Sequence, residues 1–146
     1  MTELRDIEHS LPLRLLRARE LAMEQFRPML RKHGLTDQQW RVLRVLAAEP
    51  KGLDAGEIAA RAVLLKPSLS RILQFLQQAE LVQRRTDPAD ARRSVIALTK
   101  RGLQRYRAVG PDAEALYRNI EGRIGKPELQ QLNALLARLA EALETP

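Results

Sequence analysis

Hydrophobic residues recur with helical spacing along most of this chain. At about 100° per residue, residues 11–33 place an apolar stripe along one face of a first helix. The stripe contains Leu15, Ala22, Met23, Phe26, Met29 and Leu30. Pro28 lies within this pattern and should bend or break the helix, and Gly34 is a natural end for it. A second helix is predicted to begin at Thr36, with Gln39 three residues later as its capping-box partner.

Two short helices follow with almost no interval between them. Residues 54–62 form the first, residues 63–65 make a tight apolar connection, and residues 66–79 form the second, with a proline in its first turn. The second helix should bury one face and leave the other polar. Its buried positions are predicted to be Leu69, Ile72, Leu73 and Leu76. Two helices joined in this way are typical of a helix-turn-helix.

The pattern then becomes strand-like. Residues 81–86 and 94–99 predict two strands, and the polar loop of residues 87–93, which contains a proline, fits a hairpin connection. Beyond Thr99 the helical spacing resumes in two stretches, which Gly125-Lys126-Pro127 separates. The chain therefore has one short β-hairpin between helical regions.

The order of elements predicts a mainly α fold with a small β-hairpin, that is, a winged helix-turn-helix with helices at both ends. Residues 36–99 would form the winged helix-turn-helix, the DNA-binding domain. The flanking helices, in residues 1–35 and 100–146, carry more apolar surface than a single small domain needs. This excess indicates that the helical ends contact a partner.

Composition adds a basic charge to this picture. The 146 residues include 25 Lys and Arg against 18 Asp and Glu, which gives a formal net charge of +7. A positive field of this kind attracts polyanions, most often nucleic acid. The alternative is a surface that is basic in composition and has no polyanionic partner.

The residue types that are absent exclude several kinds of chemistry. The chain has no Cys, which excludes disulfides, thiol nucleophiles and thiolate zinc sites and suits a reducing cytoplasm. With two His, no Gly-rich phosphate loop and no clustered metal ligands, we expect no enzyme, no cofactor and no metal site. The charged first residues do not form a secretory signal, and no apolar run approaches the ~20 residues that span a bilayer. We therefore expect a cytoplasmic protein without a membrane partner.

The second short helix has the composition of a DNA recognition helix. Such a helix buries one face and points short polar or guanidinium side chains into the major groove. Lys66, Ser68 and Ser70 lie at its beginning, where helix dipoles favour phosphate. Arg71 suits a bidentate contact to guanine, and Gln74 suits one to adenine. The alternative is an ordinary amphipathic surface helix, which also shows polar residues outside.

The hairpin loop offers a second contact to DNA. Arg92 and Arg93 on a short loop suit insertion into a minor groove, where narrow A·T stretches concentrate negative potential. Asp90 could orient the Arg92 guanidinium through a charge-assisted hydrogen bond. The alternative is an exposed ion pair between Asp90 and Arg92 that contributes little.

These motifs resemble the MarR family of regulators. The resemblance rests on residues 66–70, which begin the recognition helix, and on Asp90-Ala91-Arg92 followed by Leu98-Thr99 in the wing, and it extends over about residues 11–143. Shorter strings resemble the family's regulators of homoprotocatechuate degradation. They are Leu15-Leu16-Arg17-Ala18-Arg19-Glu20, Phe26-Arg27-Pro28 and Leu35-Thr36-Asp37-Gln38-Gln39-Trp40-Arg41. One departure is Ala79-Glu80, since the family usually has Gly before the following Leu-Val.

The resemblance implies how the protein would act. It implies a homodimer built by the first and last helices, with residues 1–35 and 100–146 as dimerisation helices. The two wings would spread over a pseudo-palindromic operator in double-stranded DNA. Repression of an aromatic-acid catabolic operon, such as one for homoprotocatechuate or 4-hydroxyphenylacetate, would be relieved by a small aromatic acid.

Arg19 is the candidate anchor for that acid. It lies within the apolar stripe of the first helix, and a buried guanidinium is costly unless it is paired. Either it meets a carboxylate from another helix or subunit, or it binds an anionic ligand. Trp40 could form an aromatic wall at the same junction, although a lone Trp is more often core. His33 is more simply a helix-terminal histidine than a pH sensor.

Two other functions remain open at this point. The helical ends could bind a different protein, which would make the chain a protein-interaction or adaptor module. The mass in solution distinguishes this adaptor from a homodimeric repressor. RNA binding is a further alternative, but aromatic residues make up only 3% of the chain, which disfavours recognition by base stacking.

Overall fold

The computed structural model describes residues 3–146. Met1 and Thr2, which begin the predicted N-terminal dimerisation segment, lie outside the described residues. The predicted elements are confirmed, with ends within about two residues of those expected. After a 3₁₀ turn at Ile7–His9, they are α1 (Leu11–Lys32), α2 (Asp37–Ala47), α3 (Ala55–Ala62), α4 (Lys66–Gln78), β1 (Val82–Thr86), β2 (Ser94–Leu98), α5 (Lys100–Ile124) and α6 (Lys126–Glu144).

The first helix differs from the prediction at its proline. Helix α1 continues through Pro28 to Lys32, so the predicted break does not occur. Phe26, Met29 and Leu30 are buried around this position, and packing of this kind outweighs the loss of one backbone hydrogen bond. The apolar stripe is buried only toward this end, because Leu15 and other apolar residues of the first turns stay exposed. Gly34, with φ of +71°, follows the helix end as expected.

Helix α2 begins with the predicted capping box. The Gln39 amide donates to Thr36 Oγ1 at 3.1 Å, and the Thr36 amide donates to Gln39 Oε1 at 3.0 Å. Both partners satisfy donors that would otherwise lack a hydrogen bond at the helix start. The buried face of α2 comprises Trp40, Val42, Leu43 and Leu46. This face forms the centre of the core.

The helix-turn-helix is made by α3 and α4, joined by residues 63–65. The turn is tight because Val63 adopts a left-handed conformation, with φ of +55°. A β-branched residue is strained there. The side chains of Val63 and Leu65 are 79% and 78% exposed, so the apolar connection does not form part of the core. On α4 the four predicted apolar residues are buried, and its polar face is turned outward.

The exit from α4 keeps the left-handed geometry that glycine usually provides. Glu80 has φ of +60°, and the Leu81 amide donates to the Leu76 carbonyl at 2.9 Å. The Glu80 carbonyl accepts from Thr99 Oγ1 at 2.6 Å, and its carboxylate pairs with Arg101 at 3.2 Å. Glu80 therefore adopts the left-handed conformation that glycine favours at a helix end, and the chain turns from α4 into β1.

The wing is a two-stranded antiparallel hairpin. Its register pairs Val82 with Leu98 at the base and Thr86 with Ser94 near the loop. Leu53 adds a bridge to Ile96 through two backbone hydrogen bonds of 3.0 and 2.8 Å, which attaches the segment before α3 to β2. The base of the wing is therefore part of the core.

The chain forms two compact units. The first ends at Gly110 and contains α1 to α4, the wing and the beginning of α5. The second begins at Pro111 and contains the rest of α5 and α6, with Gly125 between them at φ of +105°. Within residues 3–146, no helix combines the length and apolarity that a membrane crossing requires. The same residues contain no group of three or more His, Cys, Asp or Glu that could hold a metal ion.

Candidate nucleic-acid interface

The outward face of α4 presents polar side chains in the way the sequence predicted. Lys66, Ser70, Arg71 and Gln74 are exposed, and Ser68 is half-buried. Proline stands in the first turn, and the residue before α4 provides no side-chain cap. The first backbone amides of α4 therefore remain available as hydrogen-bond donors.

A cleft beside α4 extends this face toward the wing. It has a volume of about 470 Å³ and lies between α3, α4 and β1. Lys66, Ser70, Gln74, Gln77 and Arg84 contribute its polar lining, and none of its lining residues is acidic. A groove with two cations and no carboxylate suits a phosphate backbone. The sequence did not indicate Arg84, because strand alternation along β1 places it on the same face as the buried Val82.

The tip of the wing carries Arg92, whose side chain is 94% exposed. Asp90 Oδ1 accepts the Arg92 amide at 3.0 Å and lies 3.5 Å from Arg92 Nε. Asp87 Oδ1 accepts the Ala89 amide at 2.8 Å in the same loop. The predicted contact of Asp90 with the Arg92 side chain is present. The shorter of the two contacts of Asp90 is with the Arg92 backbone amide, and the longer one is with the guanidinium.

Arg93 has different surroundings from those of Arg92. Its guanidinium lies 2.7 Å from Asp54, 3.7 Å from Asp87 and within hydrogen-bonding contact of Glu57. These contacts connect the wing to the beginning of α3. The Glu57 amide, together with the Arg93 guanidinium, lowers the pKa of Asp54. The structure thus gives Arg93 a role in holding the wing, which the sequence did not indicate; its predicted contact with DNA stays a prediction.

Arg19 lies in a second cleft, of about 620 Å³, at the junction of α1 and α2. The cleft is rich in cations. The arginines that line it are Arg19, Arg27, Arg31 and Arg41, and the acidic lining residue is Asp37. Arg19 Nη2 lies 2.7 Å from Asp37 Oδ2, and Arg19 Nη1 lies 3.2 Å from Glu20. A carboxylate of another helix therefore pairs with Arg19, whose side chain is 45% exposed in the single chain rather than buried.

Trp40 does not line this cleft. It is buried and stacks on Tyr106 of α5, with ring centroids 5.4 Å apart. Because Trp40 lies three residues after Asp37 on α2, the stack supports the helix that carries the acidic residue of the cleft. His33 follows the end of α1, where its carbonyl accepts Arg105 Nη1 at 2.8 Å.

Arg41 also lies at this junction and makes contacts that the sequence did not indicate. Its Nη1 donates to the carbonyls of Ala62 and Val63, at 2.7 and 3.2 Å. Its Nε lies 3.6 Å from Asp37 Oδ1, is buried, and has no hydrogen-bond partner among the described residues. The i, i+4 spacing from Asp37 to Arg41 was the signal that could have indicated it.

The N-terminal segment exposes many large apolar side chains, which together are called the apolar N-terminal surface. The exposed large hydrophobic residues there are Leu4, Ile7, Leu11, Leu13, Leu15, Leu16 and Leu21. In the second unit, α6 separately exposes Leu132, Leu135, Leu136 and Leu143. Exposed apolar surface of this extent marks an interaction site.

Comparison with known proteins agrees with these features. The sequence profile of the MarR family matches residues 33–93. Over 127 residues, the chain is 42% identical to the homoprotocatechuate degradative operon repressor of Escherichia coli, covering 87% of this chain and 85% of that protein. Over 132 residues, it is 41% identical to the HTH-type transcriptional regulator FarR of Neisseria gonorrhoeae, covering 90% of each.

A solved structure gives the same result. NadR in complex with 4-hydroxyphenylacetate superposes with a TM-score of 0.83 at 39% identity, covering 92% of this chain and 98% of the NadR chain. The winged helix-turn-helix predicted from the sequence is thereby confirmed. The resemblance of the shorter strings to regulators of homoprotocatechuate degradation is confirmed as well.

Proposed function

This chain belongs to the MarR family of transcription regulators, and we propose that it represses an aromatic-acid catabolic operon, binding the operator as a homodimer and leaving it when a small aromatic acid binds. The observation that carries the proposal is the continuous polar and cationic surface from α4 across the adjoining cleft to β1. A polar, cationic surface of this kind suits the phosphates and base edges of duplex DNA. We propose no catalytic activity for the protein.

On the operator, the recognition helices of a dimer would lie about one helical turn apart, ~34 Å. Arg71 would contact guanine and Gln74 adenine in the major groove. Lys66, Ser68, Ser70 and Arg84 would contact phosphate. Arg92 at the free tip of the wing would enter the flanking minor groove, and Arg93 would hold the wing in place.

The apolar N-terminal surface supports the homodimer. Leucines of the first turns of α1 stay exposed in the single chain, and exposed apolar surface of this extent marks an interaction site. A second copy of the same surface would cover them, as in most symmetric oligomers. A dimer is also what a pseudo-palindromic operator requires, because each half-site binds one recognition helix.

The cleft at the junction of α1 and α2 is the proposed site of the aromatic acid. Its arginines outnumber its carboxylates, so an additional anion is favoured electrostatically. The ligand carboxylate would replace Asp37 as the partner of Arg19. Trp40, which the sequence offered as an aromatic wall for the ring of the acid, does not line this cleft and stacks on Tyr106 instead. The acid shifts the equilibrium only if it binds the free protein more tightly than the DNA-bound protein.

Fluorescence anisotropy tests the proposal directly. The probe is duplex DNA from upstream of the protein's own gene, titrated with and without 3,4-dihydroxyphenylacetate and 4-hydroxyphenylacetate. We expect tight binding whose log–log salt slope is near −7 if about eight phosphates are neutralised, and release by either acid. The matched control is 4-hydroxyphenylethanol, which keeps the ring and lacks the carboxylate, and it should not release the DNA.

The second candidate function is a protein-interaction module, which the exposed apolar N-terminal surface favours. Under this alternative the chain would be a monomer until a different protein covers that surface. Light scattering separates the two functions: twice the 16.6 kDa of one chain supports the repressor. A monomer without affinity for the duplex would support the adaptor.

A further inference from the structure

Arg41 joins two parts of the molecule that the proposed function leaves unconnected. Its guanidinium contacts Asp37 on one side and the end of α3 on the other. Asp37 in turn holds Arg19 of α1. A continuous series of polar contacts therefore runs from the proposed ligand anchor on α1 to the turn of the helix-turn-helix.

The contacts of Arg41 with the turn stabilise a costly piece of backbone. The Ala62 and Val63 carbonyls lie at the end of α3, where helix carbonyls lack intrahelical partners and cations are favoured. Val63 itself holds a left-handed conformation that a β-branched residue adopts only under constraint. The position of α4, which begins three residues later at Lys66, depends on this turn.

The contact of Arg41 with Asp37 is incomplete. The Asp37 carboxylate is divided between Arg19, at 2.7 Å, and Arg41 Nε, at 3.6 Å. The second distance is too long for a hydrogen bond, and the buried Nε has no other partner among the residues described. An unsatisfied buried donor favours any rearrangement that brings an acceptor closer.

We infer that Arg41 is a positioning residue that transmits the occupancy of Arg19 to the turn of the helix-turn-helix. The inference rests on the proposed function. An aromatic acid that takes over Arg19 frees Asp37, whose carboxylate then closes on Arg41 Nε by about 0.7 Å to reach a normal hydrogen-bond length. The guanidinium moves with it and weakens its bonds to the Ala62 and Val63 carbonyls. The turn loosens, and α4 loses the fixed position that operator binding needs.

The test compares variants that cut this series of contacts at different points. Arg41→Lys keeps the charge, but one ammonium group cannot bridge Asp37 and two carbonyls together. Asp37→Asn removes the carboxylate while the Thr36 cap of α2 stays. Arg61→Lys is the matched control, because Arg61 lies near the same turn and pairs only with Glu49 and Glu57 among the described residues.

Three measurements are made on the intact dimer. They are the Kd for the operator duplex with and without saturating 4-hydroxyphenylacetate, the Kd of the acid for the free protein by calorimetry, and amide exchange of residues 62–68. In the wild type and in Arg61→Lys, we expect the acid to raise the DNA Kd at least tenfold and to speed exchange in that turn. In Arg41→Lys, at acid concentrations that saturate the variant by its own calorimetric Kd, the acid should change the DNA Kd by less than threefold and leave exchange unchanged.

Asp37→Asn should bind the acid more tightly, since Arg19 then keeps only Glu20 as a carboxylate partner among the described residues, and it should show the same loss of coupling. If thermal melting shows that Arg41→Lys does not fold, the Asp37→Asn variant alone tests the inference. Wild-type release from DNA in both variants overturns the inference and leaves the proposed function intact. A wild-type protein that binds the duplex but ignores the acid overturns the proposed ligand response, and the inference with it.

Discussion

Two adjacent arginines of the wing differ in what surrounds them. Among the described residues, Arg92 extends into solvent with one loose partner, Asp90, whereas Arg93 lies among three carboxylates. A side chain gives up its ion-pair partners before it contacts DNA, and Arg93 has more to give up than Arg92. Arg92 is therefore the better candidate for the minor groove, and Arg93 for holding the wing.

Arg92→Ala and Arg71→Ala should weaken operator binding in different ways. Arg71→Ala should cost roughly 1–3 kcal/mol at one base pair and relax specificity there. Arg92→Ala should weaken binding mainly when the flanks are A·T-rich, because the narrow minor groove there attracts a cation. Anisotropy titrations with operators altered at single positions, or with G·C flanks, measure both. Operator affinity that does not change in Arg92→Ala would exclude the wing tip from the contact.

Low pH should weaken the attachment of the wing to α3. The pKa of Asp54 is lowered by the Glu57 amide and by Arg93, so the stability it contributes is present above its unfolded pKa and is lost as pH falls through its folded pKa. Asp54→Asn retains a good helix cap and removes the charge. We expect wild type to melt at a higher temperature than Asp54→Asn at neutral pH, and the difference to vanish below the ordinary aspartate range. Asp6→Asn, whose N-terminal 3₁₀ turn lies elsewhere in the chain, serves as the control.

At the scale of elements, the end of α4 combines a left-handed backbone with a residue that has a Cβ atom. Glu80 keeps this conformation because its carbonyl and the following amide are both hydrogen-bonded. Next to this turn in space, Gly102 of α5 lies very close to Leu81, the residue before β1. A Cβ atom on Gly102 would lie 2.0 Å from the Leu81 carbonyl oxygen. Glycine is therefore needed at position 102, where a Cβ atom would clash. Glutamate is tolerated at position 80, where only the φ angle is unfavourable.

Glu80→Gly should therefore stabilise the protein. Relief of the left-handed strain is worth about 1 kcal/mol, partly offset by the greater freedom of glycine in the unfolded chain. The exposed ion pair with Arg101 contributes little against this. Thermal unfolding should show a midpoint raised by up to about 2–4 °C. Glu80→Ala is the matched control: it removes the same ion pair but keeps the Cβ atom, and an equal rise in that variant would contradict the explanation.

The elements could be predicted from the sequence because their signals are local. The capping box of α2 needs only Thr36 and Gln39, three residues apart. The ion pairs of Arg93 connect residues 36 and 39 positions apart, and Arg41 reaches carbonyls 21 and 22 positions away. No periodicity encodes such distances. Candidate DNA-contact residues could therefore be proposed from local patterns in the sequence, whereas the contacts of Arg93 and Arg41 became visible only in the folded chain.

At the scale of the whole molecule, the exposed apolar surface and the basic charge point to two partners at once. The net charge of +7 favours DNA, and the leucines of the N-terminal segment favour a second copy of the chain. The two partners depend on each other, because a monomer binds one half-site and gains nothing from the second.

Leu16→Glu should separate the dimer and reduce operator affinity in parallel. Leu16 is exposed within the N-terminal apolar surface, and a carboxylate there would be buried without a partner in the dimer. Sedimentation should show the mass of one chain, and the operator Kd should rise by more than tenfold. Leu65→Glu, the same change at an exposed leucine of the turn, should keep the dimer mass. A dimer that persists in Leu16→Glu would place the interface elsewhere.

The construction of the wing also has a mechanical consequence. The bridge from Leu53 to Ile96, the Arg85 contact to the Pro50 carbonyl at 2.7 Å and the ion pair of Arg93 with Asp54 attach the wing from the middle of its strands to the start of the loop. Arg92 projects from the loop itself. We therefore expect the loop that carries Arg92 to bend more easily than the attached strands are displaced. The protein should accordingly tolerate operators whose flanks differ in groove width, because the tip follows them. It should reject operators whose half-sites differ in spacing, because that change requires the attached strands of the wing to move.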